Sequence, residues 1–231
     1  PLYQFLGLPS PKTPTSLTIG INPPEVIKER VEIIISNPEV KALKIKLGSP
    51  DGIEYDKLIY SQVLDSTKDL DISIRVDANG AFNYDEALKN MSLLNKLKIH
   101  SIEQPIMPNQ WEKMSSLCEK SPVDIALDEE LIGIHFEERE KMISTISPKY
   151  IILKPSLIGG IKQSEKWVTL AQKNNIKWWV TSSLESNIGL NVISQWVFKM
   201  SLNMKQGLGT GKLYSNNITS PHYIKKGCLY Y

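Results

Sequence analysis

Two hydrophobic periodicities alternate along the chain. Short runs rich in β-branched residues, at 16–21, 42–47, 72–77, 101–105, 124–129, 150–155 and 177–182, are predicted strands. Between them lie stretches with helical spacing. Residues 23–36 begin with two prolines suited to a first helical turn, and 55–68 follow the turn signal Pro50-Asp51-Gly52. Residues 83–98 place Asn83 as N-cap and Ala87, Met91 and Leu94 on one face, and 161–175 and 188–202 complete the set. An eighth segment, QGLGTG at 206–211, is poor in strand formers and is nominated by its place in the repeat. Strands alternating with helices pair in parallel through right-handed crossovers. Eight units of about 26 residues each predict a TIM-type (β/α)8-like barrel, a fold of about 250 residues, with an open doubly wound sheet as the alternative. Residues 1–15 carry four prolines and no periodicity. They are read as a linker, and 16–231 as the barrel domain with a C-terminal tail.

The strands end in charge. Lys46, Asp77, Glu103, Asp128 and Lys154 each close an apolar run, at steps of about 25 to 31 residues. A buried charge is costly, so five strands ending this way need a common reason. In a barrel the C-terminal strand ends converge on one mouth, where barrel active sites lie. Asp77, Glu103 and Asp128 would then repel one another unless a cation neutralised them, and an all-oxygen set favours magnesium, or manganese, over zinc. Lys44 and Lys46 share one face of their strand, toward the interior. Crowded cations depress one another's pKa, so this pair is expected to yield a usable general base. Lys154 would approach a substrate from the opposite side, and Glu129 is a candidate partner for a lysine.

Thr181, Ser182 and Ser183 offer hydroxyls at the seventh strand end, with Glu185 and Ser186 expected to cap the following helix. The glycines beginning at Gly207 let backbone approach a ligand and present N–H groups to an anion. His100 is read as a packed histidine; His135 and His222 show no metal-ligand spacing, and no G-x-S-x-G elbow is present.

Composition narrows the function classes. With 231 residues, 23% charged residues and a net charge of +2, the chain has no electrostatic case for nucleic acid or an anionic membrane. No apolar run approaches the ~20 residues of a membrane span, and Cys118 and Cys228 fit free thiols in a reducing cytoplasm, one disulfide being the alternative.

The motifs Lys44-Ile45-Lys46, Val76-Asp77-Ala78-Asn79-Gly80, Ile102-Glu103-Gln104-Pro105, Leu127-Asp128-Glu129 and Lys154-Pro155-Ser156 resemble, in this order, the enolase superfamily and its muconate-lactonising-enzyme subgroup. The resemblance runs from about residue 14 to the C-terminus. It implies a (β/α)7β barrel, with Asp77, Glu103 and Asp128 on one magnesium and Lys46 removing a proton α to a carboxylate. Lys154 would stabilise the enediolate from the other face and Lys44 would assist, with Asn79 and Glu129 supporting. By the same resemblance Thr181 and Gly207 fall at the substrate's succinyl portion. It also implies an N-terminal capping domain, which this chain begins too late to contain. The tail looks most like o-succinylbenzoate synthases of menaquinone biosynthesis, lyases that eliminate water. N-succinyl amino acid racemases and dipeptide epimerases are the alternative, although the epimerases carry an Asp-x-Asp element where this chain reads Gly207-Leu208-Gly209. A Schiff-base aldolase using Lys154 and a barrel retained only for binding are the more distant readings. Monomer and homo-oligomer are equally compatible with the sequence.

Overall fold

The computed structural model describes residues 12–15, 17–19, 24–36, 42–48, 52–97, 99–200, 203–211 and 214–230. Its elements are, in order, β1 (Lys12–Pro14), β2 (Leu17–Ile19), α1 (Pro24–Ile35), β3 (Ala42–Lys46), α2 (Ile53–Thr67), β4 (Ser73–Asp77) and α3 (Tyr84–Leu94). There follow β5 (Ser101–Glu103), α4 (Trp111–Lys120), β6 (Ile125–Leu127), α5 (Arg139–Ile146), β7 (Tyr150–Leu153), α6 (Gly160–Lys173), β8 (Lys177–Val180), α7 (Asn187–Lys199), β9 (Tyr223–Lys225) and β10 (Cys228–Tyr230).

Strands β2 to β8 form one parallel seven-stranded sheet in chain order. The sheet closes through residues 206 and 207. Gly207 N–H donates to the Val180 carbonyl at 2.8 Å, Ser182 N–H to the Gly207 carbonyl at 3.1 Å, and Gln206 N–H to the Pro14 carbonyl at 2.7 Å. The Thr15 hydroxyl donates to the Gln206 carbonyl at 3.0 Å. The fold is therefore a (β/α)7β barrel. The expected eighth strand shrinks to these two bridging residues, since 209–211 already turn. The end of the segment read as a linker takes part in this closure. β1 pairs antiparallel with β10, and β10 with β9, in a separate small sheet; residues 1–11 lie outside the described residues.

Helix α3 starts where Asn83 predicts. Its side chain accepts the Glu86 N–H, and the Glu86 carboxylate returns to the Asn83 N–H, a complete capping box. Helices α4 and α5 are not foreseen by the periodicity. Each buries few apolar side chains, Met114 and Leu117 in α4 and Met142, Ile143 and Ile146 in α5. The main core lies between sheet and helices, around Val76, Ile102, Leu153, Trp167 and Val180. Alternation turns the other strand face inward, where Ala126, Tyr150, Ile152 and Trp179 pack as a separate cluster. Arg75 joins them from β4, its guanidinium 4.0 Å from the Trp179 ring centre. Polar residues close the inner face at the top, so the site sits on an apolar floor. Among the described residues no helix is long and apolar enough to cross a membrane.

Candidate active site

Each strand-end charge reaches the mouth because it occupies the inward register of its strand. Lys44 pairs opposite Arg75, and Lys46 opposite Asp77, which in turn lies opposite Glu103. Asp128 and Lys154 stand one residue beyond β6 and β7. The three carboxylates are almost wholly buried. Lys44 Nζ lies 2.9 Å from Asp77 Oδ2 and 3.0 Å from Glu103 Oε1, and Lys46 Nζ lies 2.5 Å from the same Asp77 oxygen. Lys46 also contacts the Asn79 side-chain oxygen, and Lys154 pairs with Asp128. Asn79 Nδ2 donates to Glu129 Oε1 at 2.9 Å, so Glu129 supports Lys46 through Asn79.

The electrostatics correct one expectation. Lys44 is not depressed by Lys46. Burial works against its charge, but Glu103 and Asp77 overcome burial and hold its pKa well above the ordinary value. Lys154 is raised in the same way, burial being outweighed first by Asp128. Asp77 falls well below the carboxylate range, because Lys44 and Lys46 outweigh its burial. Glu103 moves the opposite way. Burial raises it, Asp77 adds to that, Lys44 opposes, and Asp128 adds again.

Among the described residues no three His, Cys, Asp or Glu side chains form a ready cage for a metal ion. Lysine ammonium groups lie against all three carboxylates, Lys44 and Lys46 on Asp77, Lys44 on Glu103 and Lys154 on Asp128. The donor set nonetheless fits a hard divalent cation. All its donors are carboxylate oxygens on successive strands, and Glu103 resists ionisation partly because two further carboxylates face it.

The seventh and eighth strand ends are arranged for closure. The Thr181 hydroxyl donates to the Gly207 carbonyl at 3.0 Å, and Ser182 Oγ accepts from Thr210 Oγ1 at 2.9 Å and from the Leu184 N–H at 2.8 Å. Ser183 donates to Glu185. Two N–H groups at the start of this glycine-rich run are engaged as well, Gly207 with Val180 and Leu208 with Thr15 Oγ1. Glu185 is not a helix cap. Its carboxylate accepts the hydroxyls of Ser156, at 2.6 Å, and Ser183, at 2.5 Å, tying the loop after β7 to the loop after β8. Ser186 occupies the cap position of α7 without a side-chain bond. His100 is packed, with its ring 5.0 Å from that of Tyr150.

Two residues of the site escape the sequence reading. Gln104 and Glu130 are fully buried and hydrogen-bonded to each other. Only the place of Gln104, between Glu103 and Pro105, hinted at a role.

Residues 27–229 match the Enolase C-terminal domain-like family. The chain is 46% identical over 189 residues to the o-succinylbenzoate synthase of Desulfotalea psychrophila, covering 81% of this chain and 50% of that protein. It is 37% identical over 190 residues to a hydrophobic dipeptide epimerase of a Flavobacteria bacterium, covering 82% and 53%. The crystal structure of MenC from Desulfotalea psychrophila superposes with a TM-score of 0.86 at 40% identity, covering 95% of this chain and 60% of that one. The chain thus spans about half the length of the curated relatives it matches.

Proposed function

The chain belongs to the Enolase C-terminal domain-like family, and on that footing we propose that it carries the catalytic barrel of an o-succinylbenzoate synthase. The reaction is abstraction of a proton α to a carboxylate followed by β-elimination of water. The observation that carries this reading is the joint placement of Lys46 and Lys154 around three buried strand-end carboxylates. The 46% identity to a synthase supports it.

In this reading Asp77, Glu103 and Asp128 would hold magnesium, or manganese in its place. The cation would supply Lewis-acid stabilisation of the negative charge that develops on the substrate carboxylate. Lys46, in its neutral form, takes the α-proton on one face; Asn79, held by Glu129, fixes its side chain. Lys154 faces the substrate from the other side and offsets charge there, while Lys44 keeps Asp77 and Glu103 in place. The electron pair left by the proton forms the new double bond as hydroxide departs. Lys46, now protonated, can return that proton to the leaving oxygen. Thr181, Ser182, Ser183 and Gly207 shape the rim that meets the rest of the substrate. Around the mouth Met107, Ile132, Leu157 and Leu184 are exposed apolar residues. They offer a seat for an N-terminal capping domain. Cys118 and Cys228 are free thiols, in keeping with a cytoplasmic enzyme.

Racemisation or epimerisation of N-succinyl amino acids or dipeptides is the second reading, favoured by the 37% identity to an epimerase. The two part experimentally. The protein in its full-length form is incubated with the cyclohexadiene carboxylate, N-succinyl amino acids and hydrophobic dipeptides, with and without magnesium. A rise in aromatic ultraviolet absorbance with the diene supports the synthase. Loss of optical activity with the amino acid derivatives, and no aromatic product, would establish the second reading in its place.

A further inference from the structure

Gln104 follows Glu103 directly and is wholly buried, with a backbone φ of 38°. A non-glycine residue keeps a left-handed backbone only where its surroundings over-determine it. Here every polar atom of the side chain is committed. Oε1 accepts the backbone N–H of Asp128 at 3.1 Å and of Glu130 at 3.2 Å. Nε2 donates to the Ile106 carbonyl at 3.0 Å and to Glu130 Oε2 at 3.1 Å. The other Glu130 oxygen takes the Asn109 N–H at 2.8 Å. Through its backbone Gln104 donates to the Ala126 carbonyl at 2.9 Å and accepts from Gly80 N–H at 2.7 Å. One side chain thus joins the loops that follow β5 and β6, and its main chain reaches the loop after β4.

Only a primary amide can fill this place. Its oxygen must accept from two N–H groups while its nitrogen donates to a buried carboxylate. A hydrocarbon would leave the Asp128 and Glu130 N–H groups and the Glu130 carboxylate unpaired in the interior.

We propose that the buried Gln104–Glu130 pair is a positioning device that sets the placement of Asp128 relative to Glu103, and so governs how tightly the protein holds its divalent cation. This rests on the reading of Asp77, Glu103 and Asp128 as the cation's ligands. Neither Gln104 nor Glu130 touches substrate in this scheme.

Reversing the pair tests it. Gln104→Glu sets one carboxylate against another; adding Glu130→Gln restores one amide–carboxylate contact with donor and acceptor exchanged, and again supplies an acceptor for the Asn109 N–H. Magnesium affinity is read by titration calorimetry on the parent, Gln104→Glu, the double variant and Asp128→Asn, with the unfolding midpoint of each measured without magnesium. The expected result is at least tenfold weaker magnesium binding in Gln104→Glu, with most of that loss recovered in the double variant. A merely structural residue would shift the midpoint and leave the affinity of the folded protein alone, which overturns the proposal. A double variant that binds no more tightly than Gln104→Glu overturns it too, and if Gln104→Glu does not fold, a double variant at least tenfold weaker than the parent does the same. Unchanged binding in Asp128→Asn overturns the ligand reading itself; weakened binding there beside unchanged binding in Gln104→Glu removes the positioning role alone.

Discussion

Two lysines on one strand meet different surroundings. Lys44 is clamped between Asp77 and Glu103 with its side chain 13% exposed, whereas Lys46 is 25% exposed and reaches out to Asn79. Replacing Lys44 leaves the buried Glu103 without its cation and Asp77 with Lys46 alone. Lys44→Met is therefore expected to lower the stability of the metal-free protein by roughly 3–5 kcal/mol, the usual cost of breaking a buried pair from one side. Urea unfolding measures it, and a change below about 1 kcal/mol would show that Lys44 is not the clamp. Lys46→Ala should instead cost about 10²- to 10⁴-fold in turnover, the range for a lost general base, while magnesium affinity stays near that of the parent. Appreciable turnover in that variant removes Lys46 from the role of base. The five charges were legible in the sequence because each follows an apolar run whose period of two fixes the face it takes. Gln104, Glu130 and the tie through Glu185 were not, since their partners stand some 20 to 30 residues away on other loops. No local pattern encodes which loops will meet. The pKa of Lys44 was misjudged for the same reason: the neighbouring lysine is visible in sequence, while burial and the two carboxylates that outweigh burial arise from other strands.

At the level of elements, the join between β8 and the two-residue eighth strand is a tightly packed seam. A Cβ on Gly207 would come within 2.2 Å of Thr181 Oγ1 and 2.7 Å of Thr181 Cβ. Gly207→Ala must push Thr181 aside or open the seam, at an overpacking cost of about 1–3 kcal/mol measurable by denaturant unfolding. Stability equal to that of the parent would mean the seam has slack. The opposite end of the barrel is expected to respond to acid. Burial, and then the charge of Arg75, bring the His100 pKa down to about 4. Between the unfolded value near 6.5 and about 4, the unfolded chain binds a proton that the folded chain refuses, so stability falls as pH drops through that window. With the ring partly exposed the loss is about 1–2 kcal/mol. Thermal unfolding of His100→Asn should vary less with pH there than that of the parent; equal slopes would place the acid sensitivity elsewhere. The strands and longer helices were readable because each carries a full period of apolar positions. Helices α4 and α5 hide because ten- and eight-residue segments with few buried apolar side chains give periodicity little to register.

For the molecule as a whole, the barrel is completed by its most distant segments. Thr15 bonds Gln206 across 191 residues, and β1 pairs with β10 from Lys12–Tyr230 to Pro14–Cys228. Closure onto residues 206–207 is what the predicted barrel requires, but the part of residues 12–15 in it and the pairing of β1 with β10 were not foreseen, because residues 12–15 resemble a proline-rich linker until their partners are present. Contacts of such long sequence separation form only after much loop entropy has been lost, so they tend to join late in folding. Late contacts contribute to the native state and little to the transition state, and weakening them speeds unfolding more than it slows folding. Leu229 tests this, being the one residue of β10 buried in the main core. Leu229→Ala removes that anchor at about 2–4 kcal/mol. If closure is late, most of that change appears in the unfolding rate, which should rise well over tenfold in concentrated urea while refolding changes by less than threefold. A variant that refolds slowly and unfolds at the parent rate would instead place the pairing of β1 and β10 among the first contacts made, with the barrel then assembling from its ends inward.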